Sequence, residues 1–123
     1  MAPKRDWSAA NDKIEVKGRC RVCGRNGPLE RAHISGRKFD QPKTPGSKTL
    51  YVHPDDIVPL CGTRIDRDRD IDKTREGCHH LYDSHRLDLL GFFSPAEQIR
   101  CVSNFQSIEG ARRRLCPTEF QGA

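Results

Sequence analysis

Six cysteines and five histidines stand among the 123 residues, and their spacing sorts them into groups. Cys20-Arg-Val-Cys23 runs into Gly24, Asn26 and Gly27, a tight turn that lets two thiolates face one ion at about 2.3 Å, half of a tetrahedral zinc site. Cys61 and Cys78 are the candidates for the other half, because each joins an expected strand or helix end to a glycine. The sixteen residues between them exceed the usual spacing of two to four, but a longer loop adds only about 0.6 kcal/mol of closure entropy per doubling. The competing use of Cys20 and Cys23, as a redox pair, wants a βαβ pattern that the sequence does not offer. A disulfide framework is disfavoured, since no apolar segment follows the basic start Met1–Trp7 to read as a secretory signal, and an intracellular location is expected. Cys101, within an apolar helical stripe, is expected as a small buried hydrophobe, and Cys116 as a bystander.

The histidines fall beside these cysteines. His33 closes the extended segment Leu29-Glu-Arg-Ala-His, and His79 follows Cys78 at the start of an expected helix. Asp83 lies four positions beyond His79, on the same helical face. Imidazole takes up a proton near pH 7 and ligates divalent metals, so both positions are candidates for acid–base or metal work. His53, His80 and His85 are expected at the surface or in helix packing. The aspartates at 66, 68, 70 and 72 do not make an EF-hand calcium loop: the sixth and twelfth positions, where glycine and glutamate are required, hold Ile71 and Gly77.

The elements that must position these groups are short. Residues 1–17 read as a polar arm with Trp7, Ile14 and Val16 as its sizeable apolar groups. Leu29–Ile34 and Thr49–His53 read as strands, and 35–48, with Gly36, Pro42, Pro45 and Gly46, as loop. Asp55–Cys61 is an apolar approach to the third cysteine. Gly62–Gly77, with five basic and five acidic residues, reads as a surface excursion. Cys78–Leu90 suits a helix of about three turns. Ser94-Pro95-Ala96-Glu97 is a capping box that starts a C-terminal helix, with Ile99, Val102, Phe105 and Ile108 as its apolar face. The expected fold class is α+β: a core over 18–93, then a helix and tail over 94–123.

Composition sets the limits. Only 34% of residues are hydrophobic, 32% are charged and the mean hydropathy is −0.80, lean for a core unless a metal helps to hold it. No apolar run nears the ~18 residues of a membrane span, so no membrane association is expected. The net charge of +5 is uneven: residues 1–48 hold 12 basic and 5 acidic side chains, residues 49–93 hold 6 and 9. A basic first half beside an acidic centre suits a protein that meets a polyanion and holds a cation.

Framed by Cys20, Cys23, Cys61 and Cys78, the segments Leu29-Glu-Arg-Ala-His-Ile34, Val52-His-Pro-Asp-Asp-Ile-Val-Pro-Leu-Cys-Gly62 and Cys78-His79, with Leu81-Tyr-Asp83 and Arg86-Leu-Asp-Leu89, together resemble the HNH endonucleases, the ββα-metal nucleases. The resemblance runs from Cys20 to about Leu90 and is nearest to the small zinc-stapled HNH proteins of phage genomes. It implies a ββα-metal core with a structural zinc knuckle and a divalent-metal-dependent DNA endonuclease that nicks double-stranded DNA. His33 is then the general base. His79 and, less firmly, Asp83 are ligands of a catalytic Mg²⁺, Mn²⁺ or Ni²⁺, and Asp56 takes the middle position. Arg31, Arg37 and Lys38 are the expected phosphate contacts. The chain departs from the pattern twice: Ala32 stands where a metal-ligating Asp or His often precedes the base, and Asp56 stands where Asn is common. Asp56 is left with three uses: orienting the loop, polarising His33, or reaching the metal. Phage context implies work in genome processing or packaging, with a terminase subunit as partner, in the host cytoplasm. The alternatives are a catalytically silent zinc-ribbon module for DNA binding or assembly and, more weakly, an RNA-directed nuclease.

Overall fold

The computed structural model describes residues 4–25, 29–62, 64–66 and 73–117, and there the chain is a mixed α+β molecule with small sheets. In chain order the elements are β1 (Arg5–Asp6), α1 (Ser8–Lys17), β2 (Leu29–His33), β3 (Gln41–Pro42), β4 (Leu50–Tyr51), β5 (Ile57–Cys61), β6 (Arg64–Asp66), β7 (Lys73–Arg75), α2 (Cys78–Asp83), α3 (Pro95–Phe105) and α4 (Ile108–Leu115). No described helix is long and apolar enough to cross a membrane.

The antiparallel pair β2–β5 is the centre, with Leu29 opposite Cys61 and His33 opposite Ile57. β5 is a continuous apolar run because it is buried along its whole length. Val58 and Leu60 join Ala32, Ile34, Tyr82, Leu89, Cys101 and Leu115 in the main core. Ile57 packs with Ala10 and Val52 in a smaller one, to which Trp7 and Ile14 contribute. The main core also takes in Cys116, which is therefore a packed residue. A second sheet orders β1, β4 and β3, so the expected loop over 35–48 contains one short strand.

Three expectations are corrected. Residues 8–17 of the polar arm form α1, which ends on Gly18 in the left-handed conformation (φ 61°). Its anchor is polar: Lys13 Nζ donates to the carbonyls of Pro54 (2.7 Å) and Ile57 (2.9 Å) and pairs with Glu97 (2.5 Å). The helix expected over Cys78–Leu90 stops at Asp83. There Ser84 Oγ bonds back to the His80 carbonyl at 2.7 Å, and His85 turns left-handed (φ 60°), which sends the leucines after it into the core. The single C-terminal helix is two, broken at Gln106 (φ 56°) and restarted by Ser107, whose Oγ accepts from Gly110 N at 2.9 Å. The Ser94–Glu97 capping box forms as expected, but Ile99 and Ile108 are 69% and 67% exposed, and Cys101, fully buried, carries the inner face.

In the charged excursion β6 pairs with β7, Arg64 opposite Arg75. Residues 63 and 67–72 of that excursion, Asn26 and Gly27 of the cysteine turn, and the tail beyond 117 lie outside the described residues.

Candidate functional site

Two arrangements flank the β2–β5 pair. In the first, Sγ atoms of Cys20, Cys23, Cys61 and Cys78 all lie within 4.8 Å of one another. Cys23 and Cys61 are 3.7 Å apart, close to the ~3.8 Å edge of a tetrahedron with 2.3 Å metal–sulfur bonds. The four thiols fit a single metal ion such as zinc. The turn after Cys20, closed by Gly24 N donating to the Cys20 carbonyl at 3.0 Å, presents the first two. The last residue of β5 and the first of α2 present the others, joined by Cys78 N donating to Cys61 Sγ at 3.3 Å. Gly77 permits that approach: a Cβ there would collide with the Cys61 and Gly62 backbone. Burial pushes the thiols of Cys61 and Cys78 up. At Cys20 burial is outweighed by the backbone N–H groups of Cys23, Cys61 and Val22, and the thiol is brought down to about 7. Buried thiols packed this closely resist ionising together unless a cation joins them.

The second arrangement is a cleft of about 280 Å³ lined by Arg31, His33, Arg37, His79, Asp83 and Arg114. It brings together the end of β2, the loop after it, the first turn and end of α2, and α4. His33 Nε2 lies 3.0 Å from Asp40 Oδ2, which also accepts from Arg5 Nε at 3.0 Å, and both His33 and Asp40 side chains are buried. The Trp7 ring packs edge-on against the imidazole at 5.3 Å. The other ring nitrogen, Nδ1, has no hydrogen-bond partner among the described residues.

His79 sits between two carboxylates: Nδ1 is 3.1 Å from Glu30 Oε1, and Nε2 is 3.2 Å from Asp83 Oδ2. Asp83 also faces Arg114 Nη2 at 3.5 Å. Arg114 is fixed by donating from Nε to the Ile34 carbonyl at 2.8 Å and by lying over the Tyr82 ring at 4.2 Å. The hydroxyl of Tyr82 donates to the same carbonyl at 2.7 Å.

Asp56 faces the turn after β2. Its Oδ1 accepts from Ser35 N at 2.9 Å, its carbonyl accepts from Ile34 N at 2.7 Å, and Asn104 Nδ2 bridges to Ser35 Oγ at 2.8 Å. Burial pushes its carboxyl up, with Ser35 opposing. His33, Asp40 and Asp56 place ligand atoms within 4.8 Å of one another, yet Asp40 Oδ2 already serves Arg5 and His33, and Asp56 Oδ1 serves Ser35. His33 and Asp40 are thus bonded to each other, and Asp56 to the backbone of the turn.

Of the expected phosphate contacts, Arg31 and Arg37 line the cleft and Lys38 lines a neighbouring pocket. Arg31 is held over the Trp7 ring at 3.9 Å and donates to Asn11 Oδ1 at 3.1 Å. Ala32 is fully buried in the main core. His53 caps the turn before β5, its Nδ1 accepting from Asp55 N at 3.1 Å. Sequence reasoning missed Asp40, Glu30, Arg5 and Arg114. Only Arg114 carried a signal, as the end of the run Arg112-Arg113-Arg114. No protein-family model, no curated protein and no solved structure matches the chain.

Proposed function

We propose that the chain is a divalent-metal-dependent DNA endonuclease of the HNH type that nicks double-stranded DNA, built on a ββα unit of β2, β5 and α2. The observation that carries the reading is the convergence of His33, His79 and Asp83 with three arginines on one cleft, beside the four-thiol group. In this reading His33 Nδ1 takes the proton of the attacking water, while Asp40 keeps the ring in the tautomer that leaves that nitrogen free. His79 Nε2 and Asp83 would hold a catalytic Mg²⁺, Mn²⁺ or Ni²⁺, and Glu30 on Nδ1 orients the imidazole from behind. Such an ion supplies charge neutralisation at the scissile phosphate and at the leaving oxygen. Arg31, Arg37 and Arg114 place fixed positive charge around the phosphate. Asp56 acts one step back, holding the Ile34–Ser35 turn that follows the base. The four cysteines would hold the structural zinc.

The resemblance to phage-type proteins favours a task in genome processing or packaging within the host cell, with a terminase subunit as partner. A second reading, a catalytically silent zinc-ribbon DNA-binding or assembly module, is favoured by Ala32, whose burial in the core leaves no ligand at that position. Supercoiled plasmid incubated with Mg²⁺, Mn²⁺ or Ni²⁺ separates the two. The parent is expected to nick, and His33→Ala and His79→Ala to fall by at least about 100-fold, the usual scale of acid–base loss. Absence of nicking with every ion selects the silent module, and full nicking by His33→Ala overturns the mechanism in which His33 is the base.

A further inference from the structure

Next to the cleft lies a second pocket, of about 500 Å³, formed by Gly36, Lys38, His85, Phe105, Arg113 and Arg114 with their neighbours. No carboxylate belongs to its described lining, although Arg113 pairs with Glu109 on the outer side at 2.8 Å. Four of its side chains are cationic or can become so, and Phe105, stacked edge-on against Phe39 at 4.9 Å, gives it an apolar floor. Gly36 and Arg114 belong to both cavities. Gly36 adopts φ 127°, which favours glycine, and a Cβ added there would meet nothing within 4 Å, so on the Gly36 side the divide between the cavities carries no side chain, with Arg114 on the other. His85 holds a left-handed conformation that costs a non-glycine residue energy, and it does so at the rim of this pocket.

We propose that this pocket is a subsite for the nucleotide that flanks the reacting phosphate on a DNA strand. Lys38 and Arg113 take its phosphate, Phe105 takes the apolar face of its sugar or base, and Arg114 bridges the two adjacent phosphates. The inference rests on the reading of the cleft as the place where a DNA phosphate reacts. It extends the footprint to α3 and α4, which lie beyond the stretch that resembles the HNH proteins. The bare divide at Gly36 lets a continuous backbone pass from one cavity to the other, and a cationic wall without carboxylates suits a polyanion.

The test is binding, kept apart from cleavage. The zinc-loaded 123-residue chain is titrated into a short labelled DNA duplex without a catalytic divalent ion, between about 50 and 200 mM salt. Lys38→Gln/Arg113→Gln is expected to weaken binding by about tenfold at the low-salt end and to reduce the slope of log affinity against log salt by about 2, one for each lost phosphate contact. Adding Glu109→Gln to the double variant is expected to leave the loss in place. An unchanged affinity and slope in the double variant, recovery on adding Glu109→Gln, or no binding by the parent each overturn the subsite. If the parent binds and the double variant loses affinity while no ion supports nicking, the pocket stands as a DNA-backbone site and the nuclease reading, with the flanking-nucleotide role, fails. Zinc content and melting temperature equal to the parent's show that the variants fold.

Discussion

Asp40 does for His33 what no neighbour in sequence does: its Oδ2, 3.0 Å from Nε2, holds the ring in one orientation. Its own charge is held by Arg5, so the pair stays oriented inside a buried pocket. Asp40→Asn keeps the size and removes the charge. It is expected to lower the nicking rate constant by at least about tenfold while KM and zinc content stay at parental values, because the loss falls on the base alone. An equal fall in zinc content would mean that Asp40 supports the fold. At this scale the cysteines and His33, His79 and Asp83 were legible, since few residue types ligate metal or shuttle protons and their spacing is constrained. Asp40, Glu30 and Arg114 were not, because each is defined by a partner distant in sequence. Ala32 stood out in the sequence, and its full burial shows that packing sets that position.

Among the elements, the joint between α1, the cysteine turn and α3 rests on one buried carboxylate. Glu97 is 1% exposed and bonds to Arg21 at 2.6 Å, Lys13 at 2.5 Å and the Ser94 amide at 2.7 Å. Burial alone would raise its carboxyl; Arg21, Lys13 and Ser94 overcome that and lower it. A group held below its ordinary value contributes fully above that value, 4.5 for glutamate, and loses the contribution as pH falls through the depressed one. Melting temperature of the parent is therefore expected to decline below about pH 4.5 more steeply than that of Glu97→Gln. Glu97→Ala at neutral pH is expected to cost about 3 kcal/mol in denaturant unfolding, since it leaves two cations without their shared partner. This joint explains why α1 was read as an arm. A helix secured by Lys13 and a single buried Ala10 shows little apolar periodicity, whereas the Ser94–Glu97 capping box is written in four consecutive residues and was legible.

For the whole molecule, a chain that is 34% hydrophobic divides its apolar residues between two clusters, and the four-thiol group lies against the larger. Cys20, Cys61 and Cys78 belong to that cluster, so an ion bound there would complete the core as well as cross-link the chain. Purified protein is expected to carry one zinc per chain. A strong chelator or Cys20→Ser is expected to remove the metal and the cooperative melt together, while Cys101→Ala keeps full zinc. Retention of the melt after complete zinc removal would show that packing alone suffices. The α+β class was legible from the short extended and helical segments. The way α4 brings Arg114 to the cleft was not, since it depends on the break at Gln106 and the bond from Arg114 to the Ile34 carbonyl.

That last bond has a bearing on synthesis. The cleft draws on Arg5 at one extreme and Arg114 at the other, with His33, His79 and Asp83 between them. A chain emerging in order from its amino end, able to fold its early segments as they appear, holds an open and unfinished cleft until residue 114 has been added. The finished cleft thus waits on α4, and a product cut short before residue 114 would lack the arginine that lies over Tyr82 and lines the cleft.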